Sequence, residues 1–83
     1  MKAVTYLTPA VKALARHRAD SARIRMKIAA HAANPAAQAN NIKRLKGRRG
    51  VVRLRVGDYR VLLVEDAESI TVLDIGPRGS VYD

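Results

Sequence analysis

The chain has 83 residues, with three Tyr and no Phe, Trp or Cys. A chain this short buries only about 60% of the surface it exposes when unfolded, so its core is thin, and Val, Leu, Ile and Ala must fill it. The lack of Cys excludes a disulfide framework and any thiolate metal site. Met1 to Leu7 lack the apolar run of a signal peptide, and no stretch approaches the roughly eighteen apolar residues that cross a bilayer. The composition therefore implies one cytoplasmic domain over residues 1–83, with no membrane partner, no metal and no cofactor.

The charge is more informative. Sixteen Lys and Arg against seven Asp and Glu give +9, and the distribution is uneven. Residues 1–57 hold fourteen basic residues and a single acid, Asp20, for +13, whereas residues 58–83 hold two basic residues and six acids, for −4. Such a field works against compaction by self-repulsion and implies a polyanionic partner. Eleven of the cations are Arg, whose planar fork suits bidentate contacts to phosphate.

Lys2 to Leu7, rich in Val, Thr and Tyr, reads as a first strand. Thr8-Pro9 reads as a helix start with Thr8 as the N-cap, followed by Val11, Leu14, Ala15 and Arg18 at helical spacing. Asp20 and Ser21 are expected to cap a second helix with an apolar stripe of Ile24, Ile28 and Ala32, flanked by Met26, Ala29 and Ala33. Asn34-Pro35 ends it. Residues 36–50 read as a polar connection that closes on the basic run Lys43 to Arg49.

The second half reads as strand throughout. Val51 to Val56 alternates apolar residues with Arg, Gly57-Asp58 is a two-residue turn signal, and Tyr59 to Val64 is the return strand. Glu65 to Glu68 turns the chain again, Ser69 to Ile75 is a further strand, Gly76-Pro77 breaks it, and Arg78 to Asp83 form a tail. The order β-α-α-β-β-β implies an α+β sandwich, with two helices packed on one face of an antiparallel sheet.

A two-residue turn at Gly57-Asp58 sets Arg55 opposite Arg60 and Leu54 opposite Val61. Directly opposed residues share a face, so Val52, Leu54, Val56, Tyr59, Val61 and Leu63 point to the helices and Arg53, Arg55 and Arg60 point away. Opposed like charges weaken strand pairing, and no acid is expected on this face. Either the guanidinium stems splay into solvent, or an anion completes the site through forked, charge-assisted hydrogen bonds. Lys43, Lys46, Arg48 and Arg49 lead into this strand and are expected to extend the positive surface toward nucleic acid. Arg16, Arg18, Arg23, Arg25 and Lys27 read as helix surface, and His17 and His31 have no second ligand at metal spacing.

Leu45-Lys46-Gly47, then Arg53-Leu54-Arg55-Val56-Gly57-Asp58-Tyr59-Arg60-Val61, then Ile75-Gly76-Pro77-Arg78-Gly79-Ser80-Val81-Tyr82 resembles the RelE family of toxin–antitoxin ribonucleases. The close match covers about residues 42–82, and the N-terminal half agrees mainly in element order. The resemblance implies a ribosome-dependent mRNA endonuclease held inactive by a cognate antitoxin, with the ribosome and mRNA as its other partners. It implies that Arg53, Arg55, Arg60, Arg78 and Tyr82 form the catalytic set and that Lys46 contacts phosphate. Within that set, Arg60 and Arg78 would clamp the scissile phosphate, Arg53 and Arg55 would assist, and Tyr82 would stack on or orient a nucleotide. The best-known members have lysines where this chain has Arg53 and Arg55. Two alternatives stand beside this reading: a ParE-like inhibitor of DNA gyrase, which shares the fold and cleaves nothing, and a catalytically silent RNA-binding relative.

Overall fold

The structure is a computed structural model, and it describes residues 1–77. Five strands and two helices follow one another as β1 (Ala3–Tyr6), α1 (Thr8–Arg16), α2 (Arg18–Ala33), a 3-10 stretch (Pro35–Asn41), β2 (Ile42–Arg44), β3 (Val52–Val56), β4 (Tyr59–Glu65) and β5 (Ser69–Pro77). The strands form one sheet in the order β1-β5-β4-β3-β2. Strands β2 to β5 pair antiparallel, and β1 joins the edge parallel to β5. The α+β architecture is the one expected, with two refinements: the parallel β1–β5 pair, and a strand, β2, inside the connection that read as polar loop. A parallel neighbour needs a long crossover, and everything between β1 and β5 supplies it.

The core lies between the helices and one sheet face. Ile24 and Ile28 of α2, Ala10, Ala13 and Leu14 of α1, and Leu54, Val56, Val61, Leu63, Ile70, Val72 and Ile75 of the sheet are all buried. The expected α2 stripe is the buried one, while Met26 beside it is 71% exposed. On α1 the buried face is rotated by one residue from the expected one, and Val11 points out. The cap assignments also differ. Leu7, not Thr8, is the N-cap of α1 and makes no side-chain cap bond, Thr8 already being helical. His17 alone joins α1 to α2, which places Asp20 in the first turn of α2 rather than ahead of it. There its charge still complements the positive end of the helix dipole.

Strand β5 runs through Gly76-Pro77 rather than stopping at Ile75. Pro77 stands opposite Tyr59 of β4, and β1 flanks β5 only from Ser69 to Val72. Strand β1 thus does not reach Pro77, whose missing N–H costs no bond to β1.

Two polar clusters tie the middle strand, β4, to α2. At its first residue, the Tyr59 hydroxyl donates to Asp20 Oδ2 at 2.7 Å, and the Tyr59 ring meets the His17 ring edge-on at 5.1 Å. Asp20 also accepts from Arg23 at 3.0 Å, and the Arg23 guanidinium lies over Gly57. This hydrogen bond to Asp20, more than burial or the nearby charge, pushes the Tyr59 phenol above its ordinary range. At the last residue, Glu65 accepts from Lys2 Nζ at 2.7 Å and is 2.9 Å from Nε2 of the buried His31. Burial opposes ionisation of Glu65, but the hydrogen bonds and charges of Lys2 and His31 together outweigh it and hold the carboxyl below its ordinary value of 4.5.

Two outcomes follow. A folded-state pKa below the unfolded one means that Glu65 contributes stability at neutral pH, which is lost as pH falls below about 4.5 and through the lower folded value. Glu65→Gln should therefore flatten the acid limb of a stability-versus-pH curve between pH 5 and 3, roughly the window where carboxylates titrate; an unchanged limb would contradict the role of this cluster. The second concerns the turn. Gly57 has φ +57°, and no non-glycine among the described residues has positive φ, the pattern of a type II′ hairpin turn. Gly57→Ala should cost about 1–2 kcal/mol from the backbone alone, read as a lower urea midpoint at constant slope.

Candidate nucleic-acid interface

The β3–β4 register is the one a two-residue turn dictates: Val56 opposite Tyr59, Arg55 opposite Arg60, Leu54 opposite Val61, Arg53 opposite Leu62. Continuing outward, Lys43 of β2 stands opposite Arg53. On the β5 side Asp74 stands opposite Leu62, and Gly76 opposite Arg60. Because Leu54, Val56, Val61 and Leu63 are buried against the helices, the other face carries two rows across the strands. One is Lys43, Arg53, Leu62, Asp74; the other is Arg55, Arg60, Gly76.

This face is not a set of solvated stems. Arg55 is exposed, but Arg60 is only 9% exposed and Leu62 3%. Opposed Cβ atoms lie about 4.5–5.5 Å apart, so Arg55 and Arg60 can both reach an anion above the strand pair. One expectation fails here: Asp74 shares the face. A register shift between Leu62 and Leu63 skips Leu73 on β5, and this turns Asp74 outward. Its Oδ1 accepts from the Ile75 backbone N–H at 2.8 Å, and Leu62 stands between it and Arg53 in the row.

The basic loop divides between the two sides of the sheet. Lys43 shares the arginine face, and Lys46 lies in the β2–β3 loop, where Leu45 N–H donates to Val51 O and Val51 N–H to Arg48 O. Arg48 and Arg49, however, line a cavity of about 470 Å³ with Arg44, Glu65 and Val52. Val52 belongs to the helix-facing side of β3, so these two arginines do not extend the arginine face. Arg44, which the sequence reading left without a role, joins them there because it stands opposite Val52. Arg78 and Tyr82 lie outside the described residues. Among the described residues no group of three or more His, Cys, Asp or Glu is placed to hold a metal, and no helix is long and apolar enough to cross a membrane.

Comparison with known proteins places the chain by family and fold. Residues 4–82 match the family described as the ParE toxin of the type II toxin–antitoxin system, parDE. No curated protein matches the chain. Among solved structures, the toxin fold in an archaeal RelE–RelB complex from Pyrococcus horikoshii superposes with a TM-score of 0.75 at 26% identity, over 96% of this chain and 98% of its own. A RelB–RelE complex from Methanococcus jannaschii gives a TM-score of 0.67 at 27% identity, covering 95% of both chains. The RelBE2 complex of Mycobacterium tuberculosis shares the fold with a TM-score of 0.70 at 23% identity, over 93% of this chain and 98% of that one. The chain belongs to the ParE toxin family of type II toxin–antitoxin systems, within the RelE/ParE superfamily, and its structural neighbours lie in the RelE branch.

The opposed arginines yield a stability test. Replacing Arg55 with Thr removes the like-charge pair and keeps a good strand former. It should raise stability by a few tenths to about 1 kcal/mol. A loss of stability on urea unfolding would show that the pair is not a strained element of the fold.

Proposed function

We propose that this toxin acts on RNA, as a ribosome-dependent mRNA endonuclease of the RelE type, and that a cognate antitoxin holds it inactive in the cytoplasm. The observation that carries the reading is the opposed pair Arg55–Arg60, with Arg60 buried and Arg53 and Lys43 on the same face. Such an arrangement sets two guanidinium groups side by side at one place on the sheet, where one phosphate can take forked, charge-assisted hydrogen bonds from both.

RNA carries its own nucleophile. The 2′-hydroxyl oxygen attacks the adjacent phosphorus and the bond to the 5′-oxygen breaks, which leaves a 2′,3′-cyclic phosphate and a free 5′-hydroxyl. The 2′-proton leaves to a base and the departing oxygen gains a proton. Arginine stays protonated throughout, so water, ribosomal groups or the substrate carry these transfers. The arginines stabilise the negative charge that builds on the phosphate oxygens, often the largest single catalytic contribution. In this reading Arg60 and Arg78 clamp the phosphate, Arg53 and Arg55 assist, and Tyr82 orients a nucleotide. The parts of Arg78 and Tyr82 come from the motif resemblance alone.

On purified ribosomes, the protein should cut mRNA within codons and leave cyclic-phosphate ends. Arg60→Ala should slow cleavage by about 10²–10³, the cost of one lost oxyanion donor, and Arg60→Lys should recover part of it by keeping the stem and the charge. Co-expression of an acidic antitoxin should restore growth and raise the melting temperature, as any ligand of the native state does. The family match itself favours a second reading, a gyrase-directed toxin. Inhibited supercoiling with intact ribosomal mRNA would replace the nuclease assignment with that one.

A further inference from the structure

The cavity at the β2–β3 loop has no part in the reading so far. Arg44, Arg48 and Arg49 stand around it, and Ile42, Leu45, Val51 and Val52 supply apolar surface. No guanidinium of the three has a hydrogen bond or ion pair among the described residues. Glu65 also lines it, but Lys2 and His31 already engage its two oxygens, so the groove as a whole is cationic. At about 470 Å³ it falls within the usual size of ligand sites.

Its relation to the arginine face is set by one short edge strand. Lys43 stands opposite Arg53 and projects to the arginine face; Arg44, the next residue, stands opposite Val52 and projects to the groove. Two adjacent cations on β2 thus face opposite sides of the sheet, and among the described residues no strand lies beyond β2. The positive surface is therefore continuous around that edge. A phosphodiester chain has one charge per nucleotide, so it suits such a track. An acidic peptide would suit the groove alone but gives no reason for the continuity.

We propose that an RNA strand lying on the arginine face turns around the β2 edge and places a nucleotide in this groove. The base would lie against the apolar surface of Ile42, Leu45, Val51 and Val52, and Arg44, Arg48 and Arg49 would hold phosphates and stack on the base plane. A sheet with its side chains is about 10 Å thick, so roughly three nucleotides at about 3.4 Å each make the turn. The inference rests on the RNA-directed reading above and extends it to nucleotides flanking the cleavage point.

The test compares a tetranucleotide with a dodecanucleotide of single-stranded RNA, by fluorescence anisotropy across a salt series. The unmodified protein should bind the longer RNA more tightly. The triple variant Arg44→Gln/Arg48→Gln/Arg49→Gln, checked for folding by thermal melting, should bind the two lengths alike. Its salt slope on the longer RNA should fall by about 2, as expected for three lost phosphate contacts at about 0.7 each. The corresponding triple lysine variant should restore most of the slope. In the unmodified protein, 4-thiouridine at one end of the dodecanucleotide should cross-link to residues 42–52 of the groove. An unchanged length dependence in the triple glutamine variant, or cross-links confined to the outer face of β3 and β4, would overturn the groove and leave the arginine face standing. If the unmodified protein binds neither RNA, the groove proposal falls, while cleavage on purified ribosomes still decides the reading it rests on. Loss of antitoxin binding with RNA binding intact would make the groove a protein site and overturn the proposal.

Discussion

The middle strand of the sheet is fastened to α2 at both ends, and the positions of the functional side chains depend on that. Tyr59 begins β4 and is bonded to Asp20; Glu65 ends it and meets His31. From Asp20 to His31 a helix spans about 17 Å, and from Tyr59 to Glu65 a strand spans about 20 Å, so the two elements match in length and run in the same direction. Arg60 sits one residue inside the first tie. Strand β3 is then hung on β4 by a turn whose leading Gly57 adopts positive φ, which fixes Arg55 and Arg53 with no further choice. A slip of one residue would send the arginines into the core, an outcome that the burial of Leu54, Val56, Val61 and Leu63 forbids.

The charges divide the work in a way that follows from their scarcity. Acids are few, and three of them serve as ties. Asp20 joins α2 to β4, and Glu65 joins β4 to the N terminus and to α2. Asp66 accepts the backbone N–H groups of Glu68 and Ser69 in the turn before β5, and these bonds hold its carboxyl below the ordinary range. The cations outnumber them, and Lys43, Arg53, Arg55 and Arg60 cluster on one face of the sheet. A chain arranged this way sacrifices some stability to self-repulsion and concentrates positive charge on one face.

Much of this was legible in the sequence because the hairpin obeys two strict rules. Its residues alternate with period two, and a Gly-Asp turn of two residues leaves one register. The Arg53–Arg55–Arg60 face followed from those rules alone, as did the α2 stripe from its helical period. Other features had no local signal. Strand β2 is three residues long, two of them cations, so Arg44 and the groove were hidden in what read as a polar loop. Asp74 reached the arginine face through a bulge that alternation does not announce. The parallel pairing of β1 with β5, the α1 start without a side-chain cap, and the Asp20–Tyr59 tie are all products of tertiary packing.

The central claim is that Arg55 and Arg60 hold one RNA phosphate between them. The direct measurement is an NMR titration with a short RNA whose scissile nucleotide is 2′-deoxy and so cannot be cut, following the guanidinium Nε–H resonances of both arginines. The account predicts that the two resonances move together and saturate at the same RNA concentration, and that the Arg60 resonance stops responding in Arg55→Thr. If the RNA saturates while both resonances stay still and shifts appear only on the helices, the arginine face is not where this toxin meets RNA.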